Sequence, residues 1–581
     1  MLDIETQLNI LANLNLTQLC CLHLARLLPE DELNNFKDRK IVWAIEGQVA
    51  IEGKNVTLCV GVDSNFFLSL PKVFLRPPNA LGFIPHLEED GYVCYLDSEG
   101  LLLNREDPTG ILCDAIKKAV DVLQAGVSGR NQSDFMNEFG TYWRQISSKT
   151  MLTFLPADDV LRKIFVYTNN KKLELAADEI STVKAYFNTE GQGLDFLTRR
   201  TALYIPLKED TFIIPPRPNH PWSTEEIKTI VRKNLSEDNR RLLQHLGKKW
   251  KSEELVILGF PRPRGGITLV GLQFSGVAGG HPLLSGRVQN LPVPINIQRC
   301  DPNYLLRRGG GQDEFSNFRV LVVGCGAVGG YVALALVQSG IKHLTLVDPD
   351  IFQLENTFRH VLGKKAEGQP KVTALKEEIE SKYPYLSINT HQKYIQDAIR
   401  EGLIDLSSFD LAIFATGNPT VELYANRLLH QLAEKPITVF TWLEPHGIGG
   451  HALLTRPGKP GCLQCLFTSA TATDTPLQNK SAFAAYGQSF GKDDLGCGSL
   501  YTPYTALDAQ KTSESAVRLA LDALSEREQS NPILSWKGND NNFVAAGFQV
   551  SPRHQLSSDQ LHASRYSYIN SLCPVCGKQG V

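Results

Sequence analysis

The stretch Arg319-Val-Leu-Val-Val-Gly-Cys-Gly-Ala-Val-Gly329 constrains the fold of this chain more than any other. An apolar run enters a glycine turn, a helix starts at Ala327, and a second apolar run ends on Asp348, 19 residues beyond Gly329. This is the pattern of a strand–turn–helix–strand unit in which Gly324, Gly326 and Gly329 let phosphates approach backbone N–H groups while the acid holds ribose hydroxyls. Tight packing of a helix on a strand is the ligand-free alternative. The residues after the acid bear on which nucleotide is bound: Asn356 follows Asp348 by eight positions, Arg359 by eleven, and Lys371 lies twelve beyond Arg359. A nicotinamide oxidoreductase has no evident task for that basic pair, whereas a triphosphate needs its charge compensated.

Around this unit, strands and helices alternate from Asp301 onward: Val320–Val323, Ala327–Ser339, Leu344–Val347, Val372–Lys382, Leu411–Phe414, Val421–Leu432 and Ile437–Thr441. Alternation of this kind predicts a doubly wound α/β sheet over 301–581. At 581 residues the chain has room for more, about three domains of roughly 150–200 residues. Residues 3–28 carry Leu, Ile and Cys at helical spacing and predict an amphipathic helix pair. Short alternating runs then predict an antiparallel meander over Lys40–Val73, followed by a Pro-rich loop, Cys94 and a helix over Thr109–Gln124: an α+β domain covering 1–155. Residues 156–300 hold mixed strands, two Pro-rich clusters and a charged helix over Thr224–Lys251, which predicts a central α/β linker domain without a chemical motif.

Composition excludes some classes. A net charge of −3 gives no general electrostatic case for nucleic acid or an anionic membrane. No apolar run approaches the ~20 residues of a membrane helix, and Met1-Leu-Asp-Ile-Glu-Thr lacks the basic start and apolar core of a signal peptide. The expectation is a cytoplasmic protein. Its twelve cysteines then argue against a disulfide framework. Four of them form two Cys-x-x-Cys pairs, Cys462/Cys465 and Cys573/Cys576, each matching one zinc knuckle; free or redox thiols are the alternative. Cys497 lies between glycines in Gly496-Cys-Gly-Ser-Leu-Tyr-Thr-Pro503, which predicts an exposed loop rather than the usual buried thiol. Cys94 follows Gly82-Phe-Ile-Pro85-His86 and Gly91-Tyr-Val.

These motifs resemble two families. Asp348, Asn356, Arg359 and Lys371 resemble, in type and spacing, the ThiF/E1 superfamily, which adenylates the C-terminal carboxylate of ubiquitin-like proteins. That resemblance implies ATP and Mg²⁺ as cofactors, zinc on the paired cysteines, Cys497 as a thioester-forming nucleophile and a homodimer. It also implies an arginine sent to the triphosphate from before the first strand, often across the dimer, with Arg307 and Arg308 as candidates; solvated surface charges are the alternative. One departure is Gly417, in Ala415-Thr-Gly-Asn418, where many relatives carry a Mg²⁺-holding Asp. Asn418 or Glu422 could replace it, or the phosphates alone could hold the ion.

The first domain resembles the ubiquitin-conjugating E2 fold, with Cys94 as its catalytic cysteine, Pro85, Gly91 and Asp97 close to register, and His86 where that family has an Asn. The order of the two parts resembles the bacterial E2–E1 fusion enzymes of CBASS anti-phage operons. That implies a cGAS/DncV-like nucleotidyltransferase as protein substrate and an amine on a target protein as acceptor. The alternatives are a sulfur-carrier-activating adenylyltransferase, which has no need of the first 155 residues, and a non-catalytic scaffold that binds a partner's tail.

Overall fold

The computed structural model describes residues 22–66, 68–96, 99–169, 172–187, 196–217, 220–456, 458–469, 478–493 and 500–577. They form two compact units, Met1–Asp178 with Phe196–Arg299, and Glu179–Asp195 with Cys300–Val581. The central part of the chain is therefore divided. Most of it shares a unit with the N-terminal part, while the helix Ile180–Phe187 belongs to the C-terminal unit, where Tyr385 N–H donates to the Ala185 carbonyl (3.3 Å).

In the first unit, five strands form an antiparallel meander in chain order: His23–Leu27, Trp43–Ile51, Lys54–Val62, Lys72–Arg76 and Tyr92–Val93. One face buries Trp43, Ile45, Leu58, Val60, Val73 and Leu75. The helix Pro108–Val127 covers that face with Leu112, Ile116, Ala119 and Leu123, the i, i+4, i+7 stripe of an amphipathic helix. Its start is set by Pro108 in the first turn and by Asp107, whose carboxylate accepts Gly110 N–H at 2.8 Å. The helix expected over Thr109–Gln124 is thus present. The helix pair expected over 3–28 is contradicted at its end, since His23–Leu27 is a strand; residues 1–21 lie outside the described ones.

The same unit contains a closed barrel of seven strands in the order Glu253–Pro261, Ile267–Ser275, Val293–Arg299, Lys149–Thr153, Glu174–Ala177, Arg162–Asn169 and Phe196–Pro206. Closure removes the open edges that mixed strands would leave. The single charged helix expected over Thr224–Lys251 is two, Thr224–Asn234 and Glu237–Leu246; Ser236 caps the second by accepting Asn239 N–H. The short helices Asp134–Asn137 and Phe139–Ile146 bridge the two halves of the unit. Met136, Phe139 and Trp143 are buried against the outer side of the barrel wall, in one cluster with Val256, Leu258 and Val270, and Phe139 stacks on Phe260 at 4.3 Å, while Phe135 and Tyr142 pack on Phe83 of the meander's long loop.

The second unit is built on a seven-stranded sheet. Ser387–His391, His343–Val347, Arg319–Val323, Leu411–Phe414 and Ile437–Leu443 run parallel in that order, and Gly449–Thr455 and Ile533–Lys537 continue antiparallel. The order reverses direction at Arg319–Val323, so the carboxyl ends of that strand and its neighbours open a crevice at the switch point. Among the described residues, no helix is long and apolar enough to cross a membrane.

Candidate functional sites

The crevice at the switch point holds a cavity of about 420 Å³, lined by Gly324, Gly326, Asp348, Asn356, Arg359 and Lys371 among others. That volume is in the range of small-molecule sites. The turn that floors it admits only glycine at two places. Gly324 has φ +88° with Ala415 O 2.6 Å from where a Cβ would stand, and a Cβ on Gly329 would lie 1.8 Å from Gly324 O. The sheet, turn and helix are thus pressed together, and the helix Ala327–Ser339 points its free N–H groups toward the cavity.

Asp348 is buried at the end of its strand. One carboxylate oxygen accepts Cys325 N–H (2.6 Å) and the other accepts Asp350 N–H (2.8 Å). Burial still pushes its pKa above the ordinary carboxylate value, against those two bonds and the nearby Lys371. A carboxylate has about four lone-pair positions, so both oxygens can still accept a ribose hydroxyl. Lys371, itself buried at the start of the helix Lys371–Glu380, donates to Asp350 Oδ2 at 2.7 Å. Arg359 has no carboxylate partner among the described residues and lies over the Tyr504 ring, 5.1 Å from its centroid. Asn356 closes a short 3₁₀ turn, its Oδ1 accepting Gln353 N–H at 3.3 Å.

Several cavity residues were not anticipated, His360, Asp350 and Tyr504 among them. His360 accepts Leu362 N–H at Nδ1 (3.0 Å) and sits 2.7 Å from Cys325 O through Nε2, which defines a neutral ring protonated at Nε2. Burial accordingly lowers its pKa to about 4. Asp350 and Tyr504 also line the cavity. Asp350 was visible beside Asp348; Tyr504, more than 130 residues further on, carries no local signal.

Of the two replacements considered for the missing Asp, Glu422 is ruled out. It is 3% exposed, and its Oε1 accepts Thr416 N–H (3.1 Å) and the Thr416 hydroxyl (2.7 Å), so it braces the loop from behind instead of lining the cavity. Burial raises its pKa to about 7 despite those bonds. Asn418 does line the cavity, with Oδ1 turned to cap the next helix at Thr420 N and Val421 N. Arg307 and Arg308 end the helix Pro302–Arg308 and do not line the cavity of their own chain; Arg307 pairs with Asp313 at 2.5 Å. Cys497 lies outside the described residues.

The two Cys-x-x-Cys pairs meet. The Sγ atoms of Cys462, Cys465, Cys573 and Cys576 all lie within 4.8 Å of one another, with Cys462–Cys573 at 3.7 Å and Cys465–Cys576 at 3.3 Å. A tetrahedral zinc site with Zn–S bonds near 2.3 Å requires sulfurs about 3.8 Å apart. The four thiols fit such an ion.

In the first unit, Cys94 is exposed at the end of the meander. Its N–H donates to the His86 carbonyl (2.9 Å), so the loop folds back and brings residues eight apart side by side. His86 has φ +64°, a left-handed conformation in which His and Asn are among the better-tolerated residues. Its N–H donates to the Tyr142 hydroxyl (3.2 Å), and its ring nitrogens face Asp134 and Glu138. Sequence reading missed both acids. Asp97 lies outside the described residues.

A mostly parallel sheet with a glycine turn at its switch point, and a meander-and-helix domain with an exposed cysteine, are the parts expected of an activating enzyme fused to a conjugating one. The comparisons agree. Residues 302–551 match the ThiF family and residues 20–152 match prokaryotic E2 family B. The chain is similar to the ATP-dependent ubiquitin transferase-like protein Cap2 of Pseudomonas aeruginosa, 26% identical over 80% of this chain and 84% of that protein. It is also similar to Cap2 of Escherichia coli, 21% identical over 95% and 96%. Escherichia coli MccB in a crystal structure with MccA-N7isoASN is 16% identical and covers 47% of this chain and 72% of its own, with a TM-score of 0.34. The chain joins a prokaryotic E2 domain and a ThiF domain in one polypeptide, an ATP-dependent transferase of the E1/E2 class. Adenylation by a ThiF-family domain uses ATP with Mg²⁺.

Proposed function

We propose that this enzyme adenylates the C-terminal carboxylate of a protein substrate, carries the acyl group as a thioester on Cys497 and then on Cys94, and ligates it to an amine of a target protein. The substrate class is a cGAS/DncV-like nucleotidyltransferase of the same operon, and the setting is cytoplasmic anti-phage defence. Asp348 accepts the ribose hydroxyls, and the Gly324–Gly329 turn with Asn356, Arg359 and Lys371 orders the triphosphate. Attack of a carboxylate on the α-phosphate brings two anions together, so the charges of Arg359 and Lys371 lower the barrier most. Bound Mg²⁺ would neutralise phosphate charge, with Asp350 as the cavity carboxylate offered to it. Zinc on Cys462, Cys465, Cys573 and Cys576 would pin the C-terminal segment to the sheet domain.

The observation that carries this reading is the cavity itself: Arg359, without a carboxylate partner among the described residues, shares it with two buried residues, Asp348 and Lys371. The active species is a homodimer in which Arg307 or Arg308 reaches the partner's nucleotide. The test mixes the enzyme, ATP–Mg²⁺ and the neighbouring nucleotidyltransferase, then follows pyrophosphate and reducible adducts on non-reducing gels. Cys497→Ala should abolish both adducts, and Cys94→Ala should leave only the first. Absence of partner-dependent pyrophosphate release would refute the scheme.

A further inference from the structure

The surroundings of Cys94 hold more than a thiol and a loop. His86 Nε2 lies 3.0 Å from Asp134 Oδ2, and Nδ1 lies 3.1 Å from Glu138 Oε1. The first is a hydrogen bond. The second lacks hydrogen-bond alignment, so Nδ1 is buried beside a carboxylate yet without a well-directed partner. The ring is mostly buried, with 19% of its side chain exposed, and it also reaches the Cys94 side chain. The charged and titratable groups around it are Cys94, Asp134, Glu138, Tyr142 and, 3.8 Å behind Asp134, Arg264.

We propose that Asp134 and Glu138 are positioning residues that hold His86 as an imidazolium, so that its Nδ1–H donates to the carbonyl oxygen of an acyl group carried on Cys94. The inference rests on the reading of Cys94 as an acyl carrier. In the step served, the amine nitrogen bonds to the thioester carbon and negative charge gathers on the oxygen. The C–S bond then breaks, and the Cys94 sulfur takes the proton that the nitrogen sheds. A donor with a fixed positive charge suits that oxygen better than a neutral ring, which could equally act as a base. The Cys94 hydrogen bond and the carboxylates of Glu138 and Asp134 raise the His86 pKa to about 10 against burial. An acylated sulfur no longer pairs with the ring, and the two carboxylates alone must keep it protonated. That is why both are required.

The test needs neither ATP nor the natural substrate, so its failure is distinct from failure of the adenylation scheme. The full-length enzyme is treated with a short peptide α-thioester ending in glycine, and Cys94 acylation and its discharge to free lysine are followed by peptide mass spectrometry. His86→Ala should slow discharge roughly a hundredfold, as loss of an oxyanion donor does. His86→Asn, which tolerates the left-handed backbone and keeps a donor, should restore most of the rate. Asp134→Asn and Glu138→Gln should discharge normally at pH 6. At pH 7.5 the two combined in one chain should fall about tenfold below the parent, because an imidazole with neither carboxylate and a pKa near ~6.5 is then only about one-tenth charged, and each alone should fall by less. Normal discharge by His86→Ala would overturn the proposal. So would an equal deficit of the two acid variants at both pH values.

Discussion

Both units bury a charged group beside a reactive centre, and they hold it in different ways. Asp348 is gripped by two backbone N–H groups, that of Cys325 in a turn that glycine alone can make and that of Asp350 just beyond its own strand, so its position follows from the sheet. His86 is gripped by side chains from two short helices, so its position depends on how those helices pack. Backbone-held sites tolerate neighbouring side-chain changes and fail abruptly when the turn is overfilled. Sites held by side chains lose one contact at a time and shift in pH dependence before they fail.

The largest effect should come from the thiol cluster, which belongs to the rigid side of this contrast. Cys462→Ser or Cys573→Ser should remove one equivalent of bound zinc by elemental analysis and cause a large loss of thermal stability, given the ~10–16 kcal/mol apparent binding energy of structural zinc in peptides. Next, Arg359→Ala and Lys371→Ala should each cut pyrophosphate release by roughly 10²–10³, while Cys94 discharge of a preformed thioester is unchanged. A parallel loss at Cys94 would break the separation of the two sites.

Glu422 supplies a pH test within the backbone-held unit. Its folded pKa of about 7 exceeds its ordinary value, so the folded state holds a proton that the unfolded state releases between about pH 4.5 and 7. Stability should therefore fall as pH rises through that window, by about 3 kcal/mol from this group. Glu422→Gln should flatten the slope in urea melts at pH 5 and pH 8. The smallest effect is expected of Tyr504→Ala. Losing a cation–π contact of about 0.5–1 kcal/mol should change the ATP KM by no more than severalfold. A far larger change would give Tyr504 a direct hold on the nucleotide.

What could be read from the residues follows the same divide. Asp348, Asn356, Arg359 and Lys371 fall within one short stretch because consecutive elements of a parallel sheet return to the same edge. Asp134 sits 48 residues from His86, and nothing local links them. The barrel was equally hidden, since its closure pairs Lys149–Thr153 with Val293–Arg299, far apart in the chain. The strand His23–Leu27 was misread as helix because it is an edge strand exposed along most of both faces. Without a buried face it shows no alternation to detect. Glu422 was one of two residues near Gly417 that could replace the missing Asp, but nearness in the chain does not reveal that its carboxylate points inward.

The short helices after Pro108–Val127 have one more consequence. Met136, Phe139 and Trp143 root them in the barrel wall, while Asp134 and Glu138 reach out to His86. The barrel is thereby a foundation for the proposed acyl-transfer site rather than a spacer. An excised fragment ending near residue 155 would strip those anchors bare and let the two acids drift. Ligase activity should survive only in chains that keep the barrel whole.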